Sequence, residues 1–117
     1  MIRGIGIDII DTKRFGTVKN QKKFLRQLYT SNEIREIQHL NKKDQQCSVY
    51  FAIKETILKA FKIGLHFGSY WHNIDIGKNF KITLSGYFKK ILKKNTKIHV
   101  SHTYSDHYVI GFVLVQE

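Results

Sequence analysis

The chain has 117 residues, 42% of them hydrophobic, which suits a single domain over 1–117 with a real but small core. Its 20 Lys and Arg against 9 Asp and Glu leave a net charge of +11, so its surface should attract an anion: nucleic acid, an acidic protein or a phosphorylated small molecule. A single cysteine excludes an intrachain disulfide. No apolar run is long enough for a bilayer, and M-I-R-G-I-G-I-D lacks the apolar core of a signal peptide. The expectation is therefore a cytoplasmic protein with no membrane partner.

Ile2 to Ile10 reads as a strand, with Ile5, Ile7 and Ile9 on one face and Gly4, Gly6, Asp8 and Ile10 on the other. Asp8 thus points to a face cleared by two glycines, where a backbone or a ligand can come close. A carboxylate in an apolar strand needs a partner. That partner could be nearby amides, or it could be something functional. Asp11 to Asn20 is a polar turn or short helix. Gln21 to Tyr29 is a short helix with Phe24, Leu25 and Leu28 inward and Lys22, Lys23 and Arg26 outward. Thr30 and Glu33 form a capping box. The helix they open carries Ile34, Ile37 and Leu40 on its inner side, and Asn41 to Gln46 is a polar connection holding Lys42 and Lys43.

Ser48 to Lys62, S-V-Y-F-A-I-K-E-T-I-L-K-A-F-K, is the helix around which the rest is arranged. Val49, Ala52, Ile53, Thr56, Ile57, Ala60 and Phe61 recur at helical spacing. Glu55, Lys59 and Lys62 fall on another face. An ordinary account of Glu55 and Lys59 is an i, i+4 ion pair, contributing ~0.3–0.5 kcal/mol. The helix should end near Gly64, followed by an irregular aromatic stretch from Leu65 to Asn73. Ile74–Ile76 and Phe80–Leu84 are predicted strands joined by a hairpin turn at Gly77-Lys78-Asn79. Tyr87, Phe88, Ile91 and Leu92 suit a short helix. Ile98–Ser101 and His107–Gln116 are the last strands, turning at Tyr104-Ser105-Asp106. The final strand is apolar on both faces, which suggests helices over one face and another subunit over the other.

Three places carry polar groups that packing does not require: Asp8, the pair Glu55 and Lys59, and His102. A carboxylate from a strand and one from a helix can hold Mg²⁺, which takes oxygen ligands and completes its shell with waters and substrate phosphates. A lysine one turn beyond Glu55 would neutralise a phosphate held there. His102 reads equally well as a strand-end histidine bonded to backbone.

G-I-G-I-D-I at Gly4 to Ile9, A-I-K-E-T-I-L-K-A-F at Ala52 to Phe61 and V-S-H-T at Val100 to Thr103 occur in that order. With them the whole chain resembles the holo-acyl-carrier-protein synthases, the small bacterial type of 4′-phosphopantetheinyl transferase. The resemblance implies an α+β fold, a small antiparallel sheet packed against a long central helix, assembled as a homotrimer with active sites between subunits. It implies transfer of 4′-phosphopantetheine from coenzyme A to a serine of an acyl carrier protein, a step in fatty acid biosynthesis. By the resemblance, Asp8 and Glu55 are the Mg²⁺ ligands, Lys59 holds the pyrophosphate of coenzyme A, and His102 lies beside the nucleotide. Glu55, directly or through a water, is the candidate acceptor of the serine proton. Arg14, Lys22, Lys23 and Arg26 lie in the segment that docks the acidic carrier.

Three positions depart from the family's pattern. Tyr50 stands where a basic residue is usual, so a contact to the nucleotide would fall to Lys42 or Lys43. Thr56 follows Glu55 where an alanine is common. A usual Gly-Lys-Pro reads Gly77-Lys78-Asn79. The competing reading is a small nucleic-acid-binding module, drawn from the charge and from Tyr70, Trp71 and Tyr104. No helix shows a basic recognition face and no strand an RNP-like pattern, which weighs against nucleic acid as the partner.

Overall fold

Two glycines two residues apart let the first strand lie directly on a helix backbone, and the fold is built on that contact. The computed structural model describes residues 1–15, 22–63 and 68–117. Strand β1 (Ile2–Asp11) pairs antiparallel with β5 (Tyr108–Gln116), which pairs antiparallel with β4 (Lys97–Ser105), giving the order β1-β5-β4. Helix α3 (Lys43–Ala60) crosses the face carrying Gly4, Gly6, Asp8 and Ile10, as the alternation in β1 predicts. A Cβ built on Gly4 would stand 1.9 Å from the Ala60 carbonyl oxygen, and one on Gly6 would stand 2.0 Å from that of Thr56. Val109, Val113 and Val115 of β5 are fully buried on the same face.

After β1 a 3₁₀ turn covers Thr12–Phe15, and its first amide donates to the His107 carbonyl at 2.7 Å. Helix α1 (Lys22–Leu28) and helix α2 (Ser31–Gln38) then lead to α3. The capping box forms as read: Thr30 Oγ1 accepts from the Glu33 amide, and Glu33 Oε1 accepts from the Thr30 amide. A 3₁₀ turn over Gly68–Asn73 leads into a hairpin of β2 (Ile74–Ile76) and β3 (Ile82–Leu84), and helix α4 (Phe88–Ile91) precedes β4.

Several expectations shift. Helix α3 begins at Lys43, five residues before the predicted start at Ser48. Asp44 in its first turn suits the helix N-terminus. It ends at Ala60, with Lys62 taking a left-handed φ of 58°, so Lys62 leaves the Glu55–Lys59 row. The predicted cap at Gly64 lies outside the described residues. Leu40 is 38% exposed beyond the end of α2, not on its inner side. Strand β4 runs on to Ser105, moving the turn to Asp106–His107, with Asp106 at φ 55°. Strand β3 is shorter than predicted because Asn79 and Phe80 take φ 56° in a 3₁₀ turn. A proline, locked near −65°, could not stand at position 79 in this turn.

The central helix also differs from a one-stripe helix. Lys54, Glu55 and Thr56 are buried along with the apolar positions, so α3 is covered nearly all round. Among the described residues no helix is long and apolar enough to cross a membrane. The outer face of the sheet presents Ile5, Ile7, Ile9, Ile110 and Phe112, all exposed in the single chain. The predicted second apolar face of β5 is therefore present, and among the described residues no helix covers it.

Candidate active site

The close approach of β1 to α3 sets the level of every candidate side chain. Gly4 meets Ala60 and Gly6 meets Thr56. A two-residue step along a strand, ~6.6 Å, nearly matches one turn of helix, ~6 Å for four residues. Asp8 therefore arrives at the turn of α3 that holds Ala52 and Glu55. The sheet agrees: Asp8 pairs with Gly111, and a Cβ on Gly111 would stand 3.2 Å from that of Ala52.

Lys59 completes the meeting. Side chains on a helix lean toward its N-terminus, and Lys59 leans back to place Nζ 3.0 Å from Asp8 Oδ1 and 3.3 Å from the Ile7 carbonyl oxygen. Asp8 is half-buried, whereas nearly half of the Lys59 side chain is open to solvent. Glu55 lies one turn before Lys59 and is 8% exposed. Asp8 and Lys59 thus meet at one edge of the β1–α3 contact, with Glu55 one helical turn from Lys59. Carboxylates are the hard oxygen donors that Mg²⁺ takes, and it needs few of them from the protein, so the residue types of Asp8 and Glu55 fit that ion. Among the described residues no group of three or more His, Cys, Asp or Glu that could hold a metal ion assembles, here or elsewhere.

His102 belongs to the same row. Gly111 pairs with Asp8 on one side and His102 on the other, so the two side chains share a face two strands apart, roughly 10 Å between backbones. The His102 ring packs against Phe80, centroids 4.4 Å apart, and burial pushes its imidazole below the ordinary value. That burial favours the uncharged ring. Phe80 also meets the edge of Tyr50 at 6.4 Å. Tyr50 is buried, and burial raises its phenol, so the residue that replaces a usual base serves the core.

Lys42 and Lys43 lie apart from this group. They stand at the start of α3, beside Thr12, Asp44 and Asp106, around a cavity of about 410 Å³. Lys43 is about 18 Å along the helix axis from Glu55, twelve residues at ~1.5 Å each. Lys22, Lys23 and Arg26 are exposed on α1, as read; the side chain of Arg14 lies outside the described residues. Cys47 is buried and its thiol is pushed up to about 11, chiefly by burial, which makes it an inert core group.

One polar assembly has no counterpart in the sequence reading. Lys54 is fully buried and its Nζ lies 2.6 Å from Glu33 Oε1. It also donates to the carbonyls of Leu28 at 2.9 Å and Trp71 at 3.0 Å. Glu33 Oε2 accepts from the Ile76 amide at 2.7 Å. Burial pushes the Glu33 carboxyl up and the Lys54 ammonium down, while the ion pair pulls each back. The signal was present: Lys54 sits among residues that are apolar on every side, where a lone charge needs a partner.

A family model described as the 4′-phosphopantetheinyl transferase superfamily matches residues 4–113. The chain belongs to that superfamily. It is 31% identical over 124 residues to the holo-[acyl-carrier-protein] synthase of Buchnera aphidicola subsp. Cinara cedri, covering 99% of this chain and 98% of the relative. Among solved structures, it resembles the Neisseria meningitidis holo-[acyl-carrier-protein] synthase at a TM-score of 0.85, with 26% identity and all of both chains covered. It also resembles the Helicobacter pylori synthase solved in complex with coenzyme A, at a TM-score of 0.78 and 27% identity, covering 96% and 99% of the two chains. The α+β fold of a phosphopantetheinyl transferase, a small antiparallel sheet against a long helix, is thereby established for this chain.

Proposed function

We propose that this chain moves the 4′-phosphopantetheine arm of coenzyme A onto a serine hydroxyl of an apo-acyl carrier protein, releasing adenosine 3′,5′-bisphosphate, and that Asp8, Glu55 and Lys59 carry out the transfer. The observation that supports the residue assignment most is the 3.0 Å contact of Lys59 with Asp8, one helical turn from Glu55. The coenzyme A in the related Helicobacter pylori structure supports the donor.

Asp8 and Glu55 would hold Mg²⁺, which when bound draws charge off the pyrophosphate oxygens. Lys59 contributes a second positive charge to the same oxygens and keeps the donor in line for attack. Glu55 takes the proton of the serine hydroxyl. His102, packed against Phe80, flanks the nucleotide. Lys42 and Lys43 serve the far end of the donor. Arg14, Lys22, Lys23 and Arg26 draw in the acidic carrier, which gives the excess charge a use other than nucleic acid. A homotrimer would cover the apolar face of Ile5, Ile7, Ile9, Ile110 and Phe112 and close the donor cleft with a neighbour's residues. The product carrier serves fatty acid biosynthesis in the cytoplasm.

The test is direct. The chain is incubated with coenzyme A, an apo-carrier and Mg²⁺, and the carrier is weighed by mass spectrometry. A gain of one phosphopantetheine is expected, lost in Asp8→Ala and in Glu55→Ala while far-UV circular dichroism stays unchanged. Full transfer by either variant would remove that residue from the site.

A further inference from the structure

We propose that Lys54 is a positioning residue: it ties the end of α1, where the carrier docks, to the turn of α3 that carries Glu55. This rests on the reading above, in which α1 receives the carrier and Glu55 acts on its serine.

A buried ammonium does what an apolar side chain cannot: it donates to several fixed acceptors at once. Replacing a buried ion pair with packed hydrophobic residues is often neutral or stabilising, so stability alone does not call for a lysine here. The Lys54 ammonium has three donors, and three oxygens from three separate segments surround it: Glu33 Oε1 of α2, the Trp71 carbonyl and the Leu28 carbonyl. Leu28 is the last residue of α1, and its carbonyl is one of the groups a helix end leaves without a partner. A cation there also suits the negative end of the helix. Glu33 extends the assembly to β2 through the Ile76 amide.

The next residue in the chain is Glu55. One side chain therefore connects the C-terminus of α1 to the backbone of the catalytic turn through a single 2.9 Å bond. Exposed Lys22, Lys23 and Arg26 on α1 determine how strongly a carrier is held. Lys54 determines where α1 stands, and so where the carrier's serine falls relative to the donor. A misplacement of ~1 Å at a reacting centre can cost ~10²-fold in rate.

The experiment separates placement from binding. Lys54→Met/Glu33→Gln removes both charges together, and Glu33→Gln alone keeps the Lys54 bonds to Leu28 and Trp71. In the double variant kcat should fall ~10–100-fold. The KM for the carrier and the Kd for coenzyme A, measured by calorimetry, should stay within about threefold of wild type. Glu33→Gln alone should keep its kcat within about threefold. Equal kcat in both variants, or a parallel weakening of coenzyme A binding, would overturn the proposal. A second measurement needs no variant: apo-carrier added to the wild-type chain should slow amide hydrogen exchange in α3 around Lys54 as well as in α1. Protection confined to α1 would also overturn it. A wild-type chain that transfers nothing would instead remove the functional reading, and this inference with it.

Discussion

Gly6→Ala tests whether the spacing of β1 and α3 sets the site. The new Cβ would stand 2.0 Å from the Thr56 carbonyl oxygen, against an ordinary contact that begins near 3.4 Å. The obstacle is helix backbone, so the strand and helix must separate by about 1.4 Å, the difference of those distances. Asp8 lies two residues further along the same strand. A shift of that size would stretch its 3.0 Å contact with Lys59 beyond hydrogen-bonding range and draw it away from Glu55. Overpacking of this kind costs ~1–3 kcal/mol of stability, and the displacement should lower kcat ~10²-fold. Gly77→Ala is the stability control: its Cβ would meet the Lys81 carbonyl oxygen at 3.4 Å, and it should cost less than ~0.5 kcal/mol. Urea unfolding and steady-state transfer rates on both variants decide the matter. Wild-type turnover in folded Gly6→Ala would refute the link between this packing and the chemistry.

Two further predictions concern charge. The KM for an acidic carrier should rise with ionic strength, and Lys22→Gln/Lys23→Gln/Arg26→Gln should both raise it and flatten that dependence; a KM indifferent to salt would remove the docking assignment. His102 should make the fold sensitive to acid. Its folded value is depressed below the ordinary 6.5 by burial, so between those values the unfolded chain binds more protons. Stability is then fully present above 6.5 and falls as pH drops through 6.5 toward the folded value. His102→Gln should remove that part of the slope in thermal melts between about pH 5 and 7, and an unchanged slope would contradict the burial argument.

The motif-bearing parts of the molecule were legible because they obey local rules. Gly4, Gly6 and Asp8 share a face by alternation alone, and Thr30 and Glu33 announce a cap within four residues. The α3 stripe was read correctly but its opposite side was not. Periodicity sets Glu55 and Lys59 on another face and gives Lys54 no role, whereas Lys54 is fully buried against the end of α1 and paired with Glu33 of α2, and Glu55 is 8% exposed. Glu33 was legible as a cap and illegible as the partner of Lys54, because that partner lies 21 residues away. The start of α3 was missed for a related reason. Its first turn, Lys43 to Gln46, is wholly polar and so resembles a loop in the sequence. The turn at Asn79 and Phe80 departs from its expected shape through left-handed backbone that sequence spacing does not encode.

The account turns on Asp8 and Glu55 acting on one divalent ion, and Mn²⁺ can report on that directly. Electron paramagnetic resonance titration of the chain with Mn²⁺, in the presence of coenzyme A, should show one ion held per chain, released when Mg²⁺ is added in excess. Asp8→Asn and Glu55→Gln should each lose that ion while remaining folded. Retention of full Mn²⁺ affinity in both variants would contradict the account.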